Sequence, residues 1–143
     1  MRRARFYSVI GGCSLCVLML SASMKFNSIN IKQEPWKAPA VADSIKNPYP
    51  VTPVAETQGE ELYNIYCWSC HGETGYGDGP AAGALGVKPA NFHEERVQKQ
   101  TDGAIYWKMS EGRGNMPPFK EALSAEKRWQ LLSYLRKLGK SNP

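Results

Sequence analysis

The chain has 143 residues, of which 42% are hydrophobic and 22% are charged, and its formal net charge is +5. This length allows one domain of ordinary size with additional segments. Arg2, Arg3 and Arg5 supply three of the positive charges, which leaves 15 Lys+Arg against 13 Asp+Glu, a net charge of +2, in the rest of the chain. Since no basic block exists, the composition argues against binding to nucleic acid.

The first 23 residues are typical of a targeting segment. Met1–Arg5 is basic, Phe6–Leu20 is apolar, and Ser21–Ser23 provides the small residues at which signal peptidase cleaves. We therefore expect residues 1–23 to be a signal peptide and the mature protein to be periplasmic. Two alternatives remain: the apolar segment is retained as a membrane anchor, or the chain is lipidated at Cys13.

Residues 24–56 are expected to form a proline-rich linker or arm. They contain five of the ten prolines in the chain. The run Asn47–Pro50 and the following Thr52-Pro53 pair favour extended backbone rather than helix. Trp36 and Tyr49 are the aromatic residues that would fix this arm to the surface of the domain or to a partner.

The folded domain is predicted to span residues 57–143 and to begin with a helix. Thr57 and Glu60 have the spacing of a capping box, with Thr57 as the N-cap residue. Leu62, Ile65 and Tyr66 then recur at helical spacing, as on one apolar face. This predicted helix continues directly into the two cysteines of the domain.

The sequence Cys67-Trp68-Ser69-Cys70-His71 is the attachment pattern of a c-type haem. On a helix, Cys67, Cys70 and His71 share one face, so both thiols can form thioethers while the imidazole ligates the iron. Zinc and thioredoxin-like sites also use paired cysteines. Zinc would need a further ligand group, which His93 alone does not complete, and the chain lacks the strand pattern of a thioredoxin.

A glycine-rich loop follows the haem motif. Residues 72–86 contain six glycines but no lysine followed by serine or threonine, which argues against a phosphate-binding loop. Beside a haem, glycine allows the backbone to approach a flat cofactor closely. We expect Pro80 to provide the carbonyl that accepts the Nδ1 proton of His71.

A second helix is predicted to begin at Thr101 and to end before Gly112. The loop that follows holds Met116 between glycines and the Pro117-Pro118 pair. We assign Met116 as the distal axial ligand of the iron. Met109 is the competing sulfur, but it has the helical spacing of a core residue, and the competing nitrogen of His93 lies in a charged stretch typical of the surface.

The last predicted helix begins after Ser124 and ends at Gly139. Its apolar residues recur at helical spacing, which indicates that it packs against another helix. We expect that partner to be the helix that leads into the cysteines. The apolar positions are Trp129, Leu131, Leu132, Tyr134, Leu135 and Leu138.

These motifs together resemble the class I c-type cytochromes over residues 57–139. In that family the first and last helices cross at a small residue and an aromatic residue, which Gly59 and Tyr63 match. The runs Gly75–Pro80 and Met116–Phe119 are especially similar to small bacterial monohaem cytochromes, among them subunits of the quinol-oxidising alternative complex III and domains that feed terminal oxidases. The other matching motifs are Cys67–His71 and the terminal Leu131/Tyr134 helix.

The resemblance implies an all-α, small cytochrome c fold, with three main helices and loops around one covalently bound haem c. It implies an electron carrier rather than an enzyme, with His71 and Met116 as ligands of low-spin iron. The implied partners are redox proteins such as a quinol-oxidising complex or a terminal oxidase, towards which Lys88, Lys108 and Lys120 would steer. Two alternatives are a haem subunit tethered in a membrane redox complex and a gas-sensing haem with a displaceable Met116.

Overall fold

Three long helices carry the fold, as predicted. The computed structural model describes residues 35–141, and this part of the chain contains no β-strand, only an isolated bridge between Arg113 and Met116. Short helices and loops connect the long ones, which confirms the expected all-α architecture. The helices are α1 (Pro53–Tyr66), α2 (Trp68–His71), α3 (Glu95–Gln98), α4 (Asp102–Glu111) and α5 (Ala125–Leu138), with short 3-10 helices at Ala40–Ser44 and Ala82–Ala84.

The first long helix begins five residues earlier than the sequence pattern predicts, with Thr52 in place of Thr57 as the N-cap. Thr52 is its N-cap, with a side-chain oxygen that accepts a hydrogen bond from the Ala55 amide at 3.1 Å, and Pro53 occupies the first turn. Proline is favoured there because its missing N–H would have had no partner within the helix. The predicted capping box at Thr57 is therefore wrong, and the Thr57 hydroxyl instead donates to the Pro53 carbonyl at 3.1 Å.

The other two long helices begin where they were predicted to begin. The Thr101 hydroxyl accepts a hydrogen bond from the Ala104 amide at 3.0 Å, and the Ser124 hydroxyl accepts one from the Lys127 amide at 3.3 Å. Gly139 ends α5 with a φ of −69°, so it is not required for a left-handed turn. Glycine is needed there because no side chain fits: a Cβ would lie 2.7 Å from the Phe92 carbonyl oxygen.

The helix that leads into the cysteines packs against the last helix, as predicted. At their closest approach, a Cβ on Gly59 would lie 2.1 Å from the carbonyl oxygen of Gln130 and 2.9 Å from the Cβ of Tyr134. Only glycine fits at this contact. The fully buried ring of Tyr63 lies one turn further along α1, with its centroid 5.4 Å from that of Tyr134. The core extends from this crossing through Phe92, Val97, Met109, Phe119, Leu123, Trp129, Leu131, Leu132, Leu135 and Leu138.

The segment ahead of α1 lies against the domain over most of its described length. Ala42 is fully buried, and a Cβ on Gly103 of α4 would lie 2.1 Å from the Ala42 carbonyl oxygen. Asp43 accepts a hydrogen bond from the Thr101 hydroxyl at 2.6 Å. Ile45 and Tyr49 pack against the core. Of the two roles expected for the aromatic residues of the arm, contact with the domain surface is the one observed.

The expected signal peptide or anchor over residues 1–23 lies outside the described residues. Among residues 35–141, no helix is long and apolar enough to cross a membrane.

Candidate haem-binding site

The haem motif lies on a single helical turn of its own. The backbone of Cys67 departs from α1 with φ −121° and ψ −39°, and α2 then begins at Trp68. The Cys67 carbonyl accepts hydrogen bonds from the amides of Cys70, at 3.2 Å, and His71, at 2.9 Å. The expected i, i+3, i+4 relationship of the three side chains is thus present, although the helix is interrupted at the first cysteine.

Both cysteines of the motif are free and half-buried. Burial, and then the proximity of the Cys70 thiol, raise the pKa of Cys67 to about 12. A thiol in this environment stays protonated at neutral pH and does not react readily as a thiolate. Both cysteines are free thiols on one turn, the form that thioether attachment requires.

The imidazole of His71 is fixed by a backbone carbonyl, but not by the one that was predicted. Its Nδ1 lies 3.0 Å from the carbonyl oxygen of Ala90. Since a carbonyl can only accept, Nδ1 carries the proton and Nε2 carries the free lone pair. The assignment of Pro80 as the acceptor is wrong, because Ala90 takes that place and Pro80 is exposed.

The neighbours of His71 favour its neutral form, which is the form that binds a metal. Its ring stacks on Phe92 with centroids 4.6 Å apart and planes 22° apart. Burial lowers the pKa of His71, and the hydrogen bond to Ala90 offsets part of this effect. Among residues 35–141, no protein group hydrogen-bonds its Nε2.

The glycine-rich loop folds back onto the motif and binds the carbonyls at the end of α2. The amides of Gly77, Gly79 and Ala81 donate to the carbonyls of His71, Cys70 and Ser69 at 2.8, 3.2 and 2.8 Å. These carbonyls have no partners within the helix. Gly79 has no room for a side chain, since a Cβ would lie 2.4 Å from the Ser69 carbonyl oxygen. The glycines thus allow protein backbone to approach protein backbone, where the sequence suggested approach to a cofactor.

Tyr63 connects the helix crossing to the haem motif. Its hydroxyl donates to the Gly72 carbonyl at 2.5 Å, directly after His71. Burial is the main cause that raises the pKa of Tyr63, with smaller contributions from Cys67, Tyr134 and Asp78, so the hydroxyl stays protonated and can donate. The position of the motif is therefore tied to the packing of α1 against α5.

His93 belongs to the support of the site rather than to its ligands. Its Nε2 donates to the Thr74 carbonyl at 2.7 Å, and its ring stacks on Tyr76 with centroids 4.2 Å apart. The Phe92 amide donates to the Gly75 carbonyl at 2.8 Å. These contacts fasten the segment that carries the Ala90 carbonyl. Sequence reasoning missed Ala90 because a backbone acceptor leaves no side-chain signal.

The predicted distal methionine lies on a tight turn at the end of α4. Arg113 and Met116 exchange two backbone hydrogen bonds, at 2.9 and 3.1 Å. Gly112, with a φ of +66°, approaches this turn so closely that a Cβ would lie 2.5 Å from the Met116 carbonyl oxygen. Beyond the turn, the Phe119 amide donates to the Met109 carbonyl at 3.1 Å. The turn that carries Met116 is thus fixed at both ends to α4.

The competing sulfur of Met109 lies in the core, as the sequence analysis expects. Met109 is buried in the core, whereas Met116, Cys67 and Ile105 are half-buried and pack against the same core cluster. Phe119 is buried within it.

Two of the three lysines proposed to steer partners are engaged within the protein. The Lys108 ammonium donates to the Gln100 side chain and lies near the Trp36 ring, and burial lowers its pKa. Lys120 forms an ion pair with Glu111 at 2.7 Å. Lys88 is exposed. The structure thus leaves Lys88 as the candidate of the three that makes no such contact among the described residues.

The donor set fits a covalently attached haem. Two free thiols and a neutral imidazole with Nε2 available lie on one turn. Beside them, Tyr66 and Trp68 are each 41% exposed, so apolar surface adjoins the thiols. Within residues 35–141, no three His, Cys, Asp or Glu side chains are grouped as direct ligands of one ion. Cys67, Cys70 and His71 would hold the haem, and Met116 is the candidate for the remaining axial position.

The chain is similar in sequence to a known protein. The chain is 31% identical over 89 residues to the cytochrome bc1 complex cytochrome c subunit of Corynebacterium diphtheriae, a match that covers 60% of this chain and 28% of that protein. The chain thus spans less than a third of that relative's length.

Two solved structures are also similar. A chain of the reducing HAO-like protein complex of Kuenenia stuttgartiensis superposes with a TM-score of 0.60 at 29% identity, covering 75% of this chain and 52% of that one. The c-type cytochrome KustC0563 superposes with a TM-score of 0.50 at 32% identity, covering 57% of this chain and 98% of that one.

A family model described as cytochrome c oxidase, cbb3-type, subunit III matches residues 54–135. This match covers more than half of the chain and includes the haem motif, the glycine-rich loop, the Met116 turn and most of α5. The chain therefore belongs to this family of c-type cytochrome domains, which carry covalently bound haem.

Proposed function

We propose that this protein is a monohaem c-type cytochrome that carries single electrons in a respiratory chain, with His71 and Met116 as axial ligands. The observation that carries the proposal is the hydrogen bond from Nδ1 of His71 to the Ala90 carbonyl, on the same turn as two free thiols. It fixes the tautomer in which Nε2 has its lone pair available. A core histidine with no metal partner would be expected to hydrogen-bond Nε2 as well, and among residues 35–141 no protein group does so.

Each part of the site has a separate task in electron transfer. The bound haem supplies the one-electron iron couple. Cys67 and Cys70 fix it covalently, and the Ala90 carbonyl and Phe92 hold the His71 ring in place. A methionine as the second ligand and apolar neighbours both raise the reduction potential. If His71 and Met116 both ligate the iron, the site would offer no open position for a substrate.

Absorption spectroscopy tests the ligation directly. The ferric protein should show the far-red band that arises from sulfur-to-iron charge transfer, and the ferrous protein should not bind carbon monoxide. Met116→Ala should remove the band and permit carbon monoxide binding. Met109→Leu is the matched control, because it replaces a buried methionine with a residue of similar volume and should leave the band intact.

Two results would contradict this ligation. If the band survives in Met116→Ala, another group ligates the iron. If the wild-type ferrous protein binds carbon monoxide readily, Met116 is displaceable and the protein is a gas-binding or sensing haem protein. The number of haems is tested separately: one chain should contain one iron, and it should stay with the protein under conditions that extract non-covalent haem.

We also propose that the protein works outside the cytoplasm with partner redox proteins, either as a carrier or as a tethered subunit of a membrane complex. The targeting pattern of residues 1–23 supports the location, and the name of the Corynebacterium relative supports the role as a subunit. Detergent-free fractionation of cells distinguishes the two, since a free carrier is released with the periplasmic fraction. Retention with the membrane would identify the tethered subunit, and recovery from the cytoplasm would contradict the location.

A further inference from the structure

The side chain of Trp36 connects the segment ahead of α1 to the turn that carries Met116. The Lys108 ammonium and the Arg113 guanidinium each lie 5.7 Å from the centre of the Trp36 ring. Cations near the face of an indole are attracted to its π electrons. Because Lys108 belongs to α4 and Arg113 to the Met116 turn, one half-buried ring contacts both elements.

The segment that carries Trp36 has its own attachment to the domain. We call residues 36–49 the strap. Beyond the indole, its buried Ala42 and the hydrogen bond from Thr101 to Asp43 hold it against the start of α4. Gly103 permits this contact, because any Cβ would lie 2.1 Å from the Ala42 carbonyl oxygen. The strap therefore stays docked when the indole alone is removed, so the effect of Trp36 can be isolated.

Movement of Arg113 is transmitted to Met116 through the backbone. Arg113 and Met116 close the turn by backbone hydrogen bonds in both directions. Gly112 packs so closely against the Met116 carbonyl that no side chain would fit between them. Arg113 also lies close enough to Lys108 for their like charges to repel, which contributes to the lowered pKa of Lys108 after the larger effect of burial. Without the indole, Arg113 would lose this attraction while its repulsion from Lys108 remains, which favours movement of Arg113 and the Met116 turn away from α4.

We propose that Trp36 is a positioning residue that holds the Met116 turn closed through Arg113 and so limits displacement of the Met116 sulfur. The proposal rests on the proposed ligation by Met116. It assigns the strap a role in the ligand equilibrium of the haem site, beyond its contribution to stability. It also couples the strap to the part of the haem site that carries Met116.

The test uses the holoprotein and imidazole as the probe ligand. Imidazole binds the ferric iron only when the Met116 sulfur has left, so its apparent affinity is proportional to the open fraction of the turn. Loss of the Arg113 contact, which is the one that joins the strap to the turn, should increase that fraction by roughly 2- to 5-fold. We therefore expect Trp36→Ala to raise the apparent imidazole affinity by this factor, measured by loss of the far-red band. Trp36→Phe, which keeps a weaker aromatic face, should recover part of the difference.

Two control variants separate positioning from general stability. Val41→Ala alters a side chain of the strap that is 71% exposed and should leave imidazole binding unchanged. Ser124→Ala removes the N-cap of α5 and lowers stability at a site away from the strap, again without a change in imidazole affinity.

The proposal is overturned if Trp36→Ala binds imidazole as weakly as the wild type, or if Ser124→Ala binds it as tightly as Trp36→Ala. Absence of the far-red band in the wild-type protein would overturn the proposed Met116 ligation as well. These failures are distinguishable, because the first two occur in a protein that shows the band.

Discussion

The sharpest prediction concerns Gly59, where α1 and α5 are in closest contact. In the variant Gly59→Ala, the new Cβ would lie 2.1 Å from the Gln130 carbonyl oxygen and 2.7 Å from its carbonyl carbon. Both obstacles are backbone atoms of a helix and cannot rotate aside. The two helices must therefore separate by about 1 Å to restore normal contact distances.

The size of the effect follows from two opposing contributions. Overpacking of a tight contact costs about 1–3 kcal/mol. Alanine recovers about 0.5–1 kcal/mol relative to glycine inside a helix. With the middle of each range, the net loss in the free energy of unfolding should be about 1 kcal/mol, which corresponds to a fall in Tm of about 4–8 °C for a domain of this size.

Thermal unfolding of the holoprotein, followed by circular dichroism, measures this change. Gly83→Ala is the matched control, because a Cβ at that position meets no atom within 4 Å. It should leave Tm unchanged or raise it slightly. If Gly59→Ala melts at the wild-type temperature, the helices do not approach at Gly59 as closely as the structure shows, and the reasoning from the crossing fails.

Two further predictions concern the hydrogen bond of Tyr63 and the start of α1. Since the folded-state pKa of Tyr63 is raised, the folded protein holds this proton more tightly than the unfolded chain does. The contribution of Tyr63 to stability should therefore be constant below about pH 10 and be lost above it. Tyr63→Phe removes the hydrogen bond to Gly72 and should cost about 1 kcal/mol at neutral pH in denaturant titrations. It should also make the loss of stability at alkaline pH smaller, so that the contribution of Tyr134, whose pKa burial also raises, is what remains. An equally steep alkaline loss in the variant would contradict this. Thr52→Ala removes the N-cap of α1 and should cost about 0.5–2 kcal/mol in the same titrations. Thr57→Ala removes only an exposed hydrogen bond and should cost less. If Thr57→Ala costs more than Thr52→Ala, the N-cap is Thr57 after all.

Helix starts were predicted correctly where only one residue in the segment could serve as the N-cap. The N-caps Thr101 and Ser124 were predicted because a hydroxyl before an apolar helical pattern satisfies the free amides of the first turn. The same rule failed at the first helix because Thr52 and Thr57 both precede apolar residues. We interpreted the Thr52-Pro53 pair as extended backbone, although proline is also favoured in the first turn of a helix.

The sequence alone predicts Cys67, Cys70 and His71 as the haem attachment residues, because this chemistry depends on spacing within one helical turn. The pairing of α1 with α5 was also predictable from its apolar stripes. The partner of His71 Nδ1 was decided only by the tertiary structure, which brings the Ala90 carbonyl to 3.0 Å from a ring 19 positions earlier. The contact of Trp36 with Lys108 and Arg113 likewise joins residues more than 70 positions apart. Every residue has a backbone carbonyl and every aromatic ring has a π face, so the sequence does not indicate which partner each will contact. That is decided only by the folded structure.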